Sequence, residues 1–381
     1  MKVLLVSSSF FPKIDGSTRC VYDHARKLVQ RGNAVSLVTR GIPGAKRLEV
    51  LDGIRITRSS YSYQGGVLAN RIRLMLEQML IIIMLQRKER FRIIHAHGFT
   101  AGLASLPSKY LFGIPVVITT HGTELLWPKG LWWKSQREIK LTLIFEKFVL
   151  NHCNVIIAQS PGVKDYMVKI YGPGITKKMQ VIPTGVDHEK FKPSAKSTGI
   201  PQILFVGALS EIKGVNCLLR AFAIVHEKVP DAKLVLVGSG PRAPEYKKLV
   251  GEMGLDGAVR FQGPVRDDAR LVSLYDESDI VVLPSNVGGP VSCTVMEGLS
   301  CGRAVITTDL PGGLHDILIG GAGILMHPED SEGLALELEK LLLQPSYLLA
   351  LQTRARKEVE SKYTLNSMAD SLTSLYTKLG G

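Results

Sequence analysis

The chain's 381 residues exceed what one hydrophobic core usually holds, so a single small module is excluded and two domains are expected. With 45% hydrophobic and 21% charged residues, and 37 Gly and 19 Pro spread along the chain, disorder and collagen-like repeats are excluded as well. The net charge of +13 belongs to the first half: residues 1–194 hold 29 Lys and Arg against 12 Asp and Glu, or +17, and the remainder 18 against 22, or −4. A field of one sign favours an anionic partner there, such as nucleic acid, an acidic membrane surface or a phosphorylated substrate.

From the N-terminus, Met1 to Val6 is a short apolar run followed by serines and Phe10-Phe11-Pro12, without a small-residue cleavage site. It reads as a buried first strand and not as a secretory signal. Further first-half strand candidates are Ala34 to Val38, Arg92 to His95, Pro115 to Thr119, Asn154 to Ala158 and Gln180 to Pro183. They alternate with amphipathic segments, the pattern of a parallel sheet with crossover helices. Val21, Ala25, Leu28 and Val29 recur at helical spacing before Gly32 and complete the first strand–helix–strand unit. Leu74 to Leu85 is too short to span about 30 Å of hydrocarbon, so no transmembrane segment is expected. Followed by Arg87, Lys88, Arg90 and Arg92, it is either an ordinary core helix or an interfacial one. Trp127, Trp132 and Trp133, interleaved with Lys129, Lys134, Arg137 and Lys140, suit either the headgroup layer of a bilayer or a loop covering a cleft.

The polar stretch His188 to Pro201 suggests a boundary, giving domains over 1–194 and 195–362 and a final helix over about 363–381 that could pack back on the first. The strand rhythm restarts at Gln202 to Val206, Lys233 to Val237, Val259 to Phe261, Asp279 to Leu283, Ala304 to Thr307 and Gly323 to Met326. The fold class is therefore α/β, with two Rossmann-like, doubly wound parallel-sheet domains facing a cleft. Five cysteines, odd in number and without a CxxC pair, suggest neither a disulfide framework nor a thiolate zinc site, and fit a reducing, cytosolic setting.

In such sheets ligands bind beyond the carboxyl ends of the strands. Lys213, in Gly207 to Gly214, follows a strand and opens a helix, where a phosphate fits; a solvated lysine in a turn explains it equally. In Pro284 to Ser292, Gly288 and Gly289 permit close backbone approach and Pro290 suits a first helical turn. Glu297, about one and a half turns further on, could accept hydrogen bonds from a ribose diol or be an exposed helical glutamate. His121 stands at a sheet edge where it could donate to a substrate or serve structure. His95 and His97 share one face of a strand, but no third ligand lies at plausible spacing, so no metal site is expected. Gly238-Ser239-Gly240-Pro241 lacks a dinucleotide fingerprint and reads as a tight turn.

One set of motifs runs in order: Val181 to Asp187 with Phe191 and Pro193, Phe205-Val206-Gly207 through Lys213-Gly214, Val235 to Pro241, Phe261-Gln262-Gly263, Leu283-Pro284-Ser285, and Glu297 through Ile306. More weakly, Asp15-Gly16 and Arg31 to Val35 belong to it. This set resembles retaining glycosyltransferases of the two-domain GT-B type, family 4, over nearly the whole chain. The resemblance implies a nucleotide-sugar donor, UDP- or GDP-linked, held mainly by the second domain, and an acceptor held by the first. Carried over by position, Gly16 and Lys213 face the donor diphosphate, Glu297 the ribose, and His121 the transferred sugar or its phosphate. Gly288, Gly289, Pro290, Val291 and Ser292 offer backbone to the sugar. His121 and Lys213 are the catalytic candidates, and no cofactor or metal is needed because Lys213 and helix N-termini neutralise the leaving diphosphate.

Two positions depart from the family pattern: Ala208 stands where an Arg is usual, and Gly289 where a Glu is usual. Arg266 and Arg303 are candidate replacements for the missing cation. The expected activity is a retaining hexosyl transfer onto a lipid-linked or glycan acceptor, in the cytoplasm or peripherally on the inner face of a membrane, with Trp127, Lys129, Trp132, Trp133 and Lys134 at the acceptor side. Nucleic acid is not an expected partner, for no binding module accompanies the charge. The alternatives are a noncatalytic nucleotide- or glycan-binding relative and a transferase acting on a soluble sugar phosphate.

Overall fold

A computed structural model describes residues 1–12, 16–60, 67–121, 136–194, 199–289 and 291–380. The chain divides into two units, 1–184 with 365–381, and 185–364.

In the first unit the strands are β1 (Lys2–Ser7), β2 (Ala34–Thr39), β3 (Leu48–Leu51), β4 (Ile54–Arg58), β5 (Ile93–His97), β6 (Val116–Thr119), β7 (Val155–Ala158) and β8 (Met179–Val181). The helices are α1 (Gly16–Gln30), α2 (Val67–Glu89), α3 (Phe99–Phe112), α4 (Gln136–His152) and α5 (Pro161–Tyr171). The sheet order is β3-β4-β2-β1-β5-β6-β7-β8. Its central strands are buried along their length because helices cover both faces, which is why they read as apolar runs without alternation. The sheet is parallel as expected except at one edge, where β3 pairs antiparallel with β4. Asp52 (φ 49°) and Gly53 (φ 79°) make the two-residue turn of that hairpin, a conformation Asp-Gly adopts readily.

The second unit has β9 (Gln202–Val206), β10 (Lys233–Val237), β11 (Val259–Gly263), β12 (Ile280–Leu283), β13 (Ala304–Thr308) and β14 (Ile324–Met326), all parallel, in the order β11-β10-β9-β12-β13-β14. Between and after them run α6 (Val215–Lys228), α7 (Ala243–Glu252), α8 (Asp268–Asp276), α9 (Cys293–Ser300), α10 (Gly313–Leu318), α11 (Ser331–Leu343) and α12 (Pro345–Lys362). The last helix, α13 (Leu365–Gly380), packs on α1 and β5, with Leu372, Leu375 and Tyr376 buried in the first unit's core.

The boundary lies at Thr184 and Gly185, ahead of the polar stretch that suggests it in the sequence. Residues 185–194 belong to the second unit for a physical reason. Val186 bridges to Thr364, the Phe191 ring packs edge-on to Tyr275, and the Arg356 guanidinium donates to the carbonyls of His188 and Phe191.

The apolar stretch of α2 is divided between core and surface. Ile81, Ile82 and Gln78 are buried, whereas Ile72, Leu76, Leu80 and Met84 recur every four residues on an exposed stripe, Leu80 at 56% and Met84 at 60% exposure. Helix α3 packs against both α2 and α4 in the same layer, and outward-facing Tyr110, Leu111, Leu141, Ile144 and Phe145 extend the apolar surface. Among the described residues no helix is long and apolar enough to cross a membrane.

Candidate active site

In the second unit, β9 is flanked by β10 on one side and β12 on the other, so the chain winds outward in both directions from the β9/β12 pair. A crevice opens beyond the strand ends at such a switch point. The loops that meet there carry Lys213 and lead to Glu297.

These loops are packed closely enough to require glycine. Gly214 has φ 67°, and a Cβ there would lie 1.7 Å from the carbonyl oxygen of Pro284. The Asn286 amide donates to the Ile212 carbonyl at 2.9 Å, and Thr294 Oγ1 donates to the Val206 carbonyl at 3.0 Å. The start of α9 is thereby fixed to the end of β9. Gly238 and Gly240 press the following loop against the Gly207 and Leu209 carbonyls, and Gly312 presses against that of Gly289. Gly214→Ala is expected to destabilise the second unit by about 2 kcal/mol or more, since a strained left-handed residue and a backbone clash combine. The check is a thermal melt: a midpoint lowered by roughly 4 to 8 °C is expected, and an unchanged midpoint contradicts this contact.

Lys213 closes a short 3-10 turn, Glu211–Lys213, capped by Gly214 immediately before α6. Its side chain is half-buried, and its ammonium has no hydrogen-bonding or acidic partner among the described residues. Burial therefore pulls its pKa below the ordinary lysine value. A half-buried cation without a counter-charge is costly in the free protein and ready for an anion. Ser210 Oγ, Ser285 Oγ and Asn286 Oδ1, in the same loops, are buried side-chain atoms without a partner.

Glu297 is not an exposed helical glutamate: it is 5% exposed, and its Oε2 accepts a hydrogen bond from Tyr275 Oη at 2.8 Å. Burial, reinforced by the adjacent carboxylate, pushes the Tyr275 phenol well above its usual pKa, so the hydroxyl stays a donor and holds the carboxylate oriented. Next to Glu297, Gly298 has no side chain to hold α9 off the sheet; a Cβ there would meet Val281 at 3.1 Å and Val305 at 3.3 Å.

The remaining sequence candidates divide. Gly288 is needed for packing, because a Cβ would lie 2.3 Å from the Pro311 carbonyl oxygen, whereas Gly289 faces open space. The Val291 side chain is buried in the core, leaving only its backbone to a ligand, and Ser292 caps α9 without a side-chain bond. Arg303 is not a replacement cation at this site: it donates to the Cys301 and Ser278 carbonyls. Arg266 is exposed, as is Ala208. Arg242, which the sequence reading passes over, reaches the same group of loops through its ion pair with Glu211 at 2.8 Å. Tyr275 and Asn286 are missed likewise; their only signal is position after or before a strand end.

In the first unit the winding reverses at β1/β5. Gly16 opens α1 after β1, His97 ends β5, and His121 follows β6. His97 Nδ1 lies 3.0 Å from His121 Nε2, so one ring donates to the other. The spacing argument finds no third histidine, but α1 brings in His24: one ring nitrogen from each of His24, His95 and His97 lies within 4.8 Å of the others. Burial holds all three imidazoles neutral, His24 with a pKa pulled down to about 3. Asp15, Gly122, Thr123, Trp127, Lys129, Trp132, Trp133, Lys134 and Pro290 lie outside the described residues.

Two family models together cover most of the chain: Glycosyltransferase Family 4 matches residues 14–190 and Glycosyl transferases group 1 matches residues 186–358. The chain is 26% identical to the uncharacterized glycosyltransferase MJ1607 of Methanocaldococcus jannaschii, over 99% of this chain and 98% of that protein. Its fold is similar to that of sucrose-phosphate synthase from Thermosynechococcus elongatus (TM-score 0.87, 22% identity, 99% and 98% of the two chains). It is also similar to Anabaena Alr3699/HepE in complex with UDP-glucose (TM-score 0.79, 18% identity, all of both chains). With both halves matched in order and two doubly wound α/β units in sequence, the chain is a GT-B glycosyltransferase of the family 4 type.

Proposed function

We propose that the protein transfers a hexose-type sugar, with retention, from a UDP- or GDP-linked donor to a lipid-linked or glycan acceptor at an anionic membrane surface. The observation that carries the donor half is the half-buried Lys213, without a partner among the described residues, at the switch point whose other loop leads to the oriented Glu297. Departure of a nucleoside diphosphate builds negative charge on the leaving oxygens, and an ammonium already partly stripped of water stabilises that charge with little reorganisation. Lys213 then takes the diphosphate, Gly16 contributes backbone N–H, and Glu297, held by Tyr275, takes the ribose diol. His121 acts at the transferred sugar, in a tautomer set by His97. The sequence offers no evident carboxylate nucleophile beside a second acid, which favours front-face transfer over double displacement. UDP-glucose, the ligand of the Anabaena protein, belongs to the donor class this arrangement suits.

The acceptor half rests on the exposed apolar stripe of α2 and its extension over α3 and α4, in the half of the chain that carries +17. An apolar surface set among lysines and arginines fits an anionic bilayer surface. The name of the sucrose-phosphate synthase relative favours a second reading, in which the acceptor is a soluble sugar phosphate and the positive charge serves it.

One experiment separates these readings. Wild type and a Leu80→Glu/Met84→Glu variant are floated with anionic and neutral liposomes and assayed with a panel of nucleotide sugars against lipid-linked and soluble phosphorylated acceptors. Wild type is expected to float with anionic vesicles and the variant to lose about tenfold in recovery, several apolar contacts being replaced by charge. Product NMR is expected to show the donor's anomeric configuration. Equal recovery in the soluble fraction, with transfer to the soluble acceptor intact, establishes the second reading instead.

A further inference from the structure

We propose that His24, His95 and His97 bind one divalent transition-metal ion of the zinc class, which ties α1 to β5 beneath His121. This site belongs to the first unit, whereas Lys213 and Glu297 belong to the second, and the transfer reaction does not require it.

The arrangement has the features of a ligand shell. One nitrogen from each ring lies within 4.8 Å of the other two, whereas tetrahedral coordination at 2.0–2.1 Å sets ligand nitrogens roughly 3.4 Å apart. Closing the gap takes a shift of under about 1 Å per ring; the His95 and His97 rings are stacked, 24° between planes, so one of them must also turn to bring its in-plane lone pair onto the ion. All three side chains are buried, and two carry a ring nitrogen with no partner, Nδ1 of His24 and Nε2 of His97. Buried polar atoms are nearly always satisfied, so two orphans in one cluster of facing imidazoles call for a bound species.

Each ring is also anchored on its far side, as metal-ligating histidines are. His24 Nε2 lies 3.6 Å from Cys20 Sγ, and His97 Nδ1 pairs with His121. His95 has both nitrogens engaged, by Tyr376 and Thr119, so it gives up one hydroxyl to bind and keeps the other as its anchor. An all-imidazole donor set with no carboxylate selects zinc, cobalt, nickel or copper over magnesium and calcium. A water would fill the fourth position. The three ligands come from α1 and from alternate residues of β5, so the ion would cross-link a helix to the central sheet.

The test uses the full chain without an added histidine tag, stripped with EDTA, dialysed, and titrated with Co2+, Zn2+ or Mg2+. One Co2+ per chain is expected to bind with the visible absorption of tetrahedral cobalt and to be displaced by Zn2+. The melting midpoint should rise with Zn2+ above its dissociation constant and stay flat with Mg2+. His24→Leu should weaken Co2+ binding by at least about 100-fold, since losing a ligand exceeds the effect of losing a ligand's anchor. His24→Gln repeats the test at closer size and polarity, with circular dichroism reporting the fold of both. His315→Gln, which removes an exposed histidine paired with Asp309, should leave the titration unchanged. Wild type that takes up no Co2+ overturns the site without any variant, and so does uptake that survives in both folded His24 variants or vanishes with His315→Gln.

Discussion

Replacing Lys213 with methionine is expected to lower the rate of sugar transfer by about 100- to 1000-fold, the range found when a single preorganised donor to a developing oxyanion is removed. It is expected at the same time to make the ligand-free protein more stable. These opposite signs come from one property of the residue. The ammonium is half-buried and has no counter-charge among the described residues, so desolvation depresses its pKa and the folded state holds the charged form at a cost. Methionine keeps the length and the apolar stem and removes that cost. A gain of about 1 kcal/mol would raise the melting midpoint by roughly 2 to 4 °C for a unit of this size. A residue whose loss stabilises the fold and disables the reaction is serving function at the expense of stability. Steady-state transfer assays and thermal melts of the same preparations read both effects. If transfer falls and the midpoint falls with it, Lys213 is a packing residue and the donor assignment fails.

The strands of both units are legible because a parallel sheet covered on both faces leaves each strand as an uninterrupted apolar run bounded by turn residues. Val3 to Val6 and Gln202 to Val206 could hardly be anything else. The β3–β4 hairpin escapes that rule: at the sheet's edge, Leu48 and Val50 are exposed, so the run is not continuous, and Asp52-Gly53 is the cue that marks it. Lys213 is legible as a candidate since it lies in the loop after a strand, and Glu297 since it lies in the helix that such a loop leads into. Their environment is not, for no local rule says that Lys213 has lost part of its water or that Glu297 is buried. That depends on Gly214 closing onto the Pro284 carbonyl and on Tyr275 reaching across from another helix. Gly288 shows a further limit: its lack of a side chain suggests close approach of backbone to a ligand, and packing against the carbonyl of Pro311 requires the glycine in any case. The histidine cluster is invisible for a related reason, because His24 and His95 stand on elements whose adjacency is tertiary. Binary pattern and spacing report which face a residue takes, and leave open which distant residue it meets there.

Acid should unfold the first unit well before ordinary carboxylate titration would. In chelator-treated protein, His24, His95 and His97 are all held neutral by burial, with His24 pulled down to about 3 and the other two well below the usual histidine value. The mutual repulsion that charging would bring, from one another and from His121, acts in the same direction. In the unfolded chain each has a pKa of about 6.5. Below that value the unfolded state binds protons that the folded state refuses, so stability is full above about pH 6.5 and falls as pH drops toward the depressed folded pKa values. The slope is about 1.4 kcal/mol per pH unit for each such histidine once the unfolded chain is fully protonated, hence about 4 kcal/mol per unit for three. Tyr376, which also faces the cluster, is held neutral by burial and contributes no slope of its own. Chemical denaturation between pH 7.5 and 4.5 measures it directly, and the decline should begin near 6.5 where Asp and Glu are still ionised. His24→Leu should remove about one third of the slope. A stability curve flat down to pH 5 would mean that the three rings accept protons inside the fold, and the buried, neutral cluster described above would have to be abandoned.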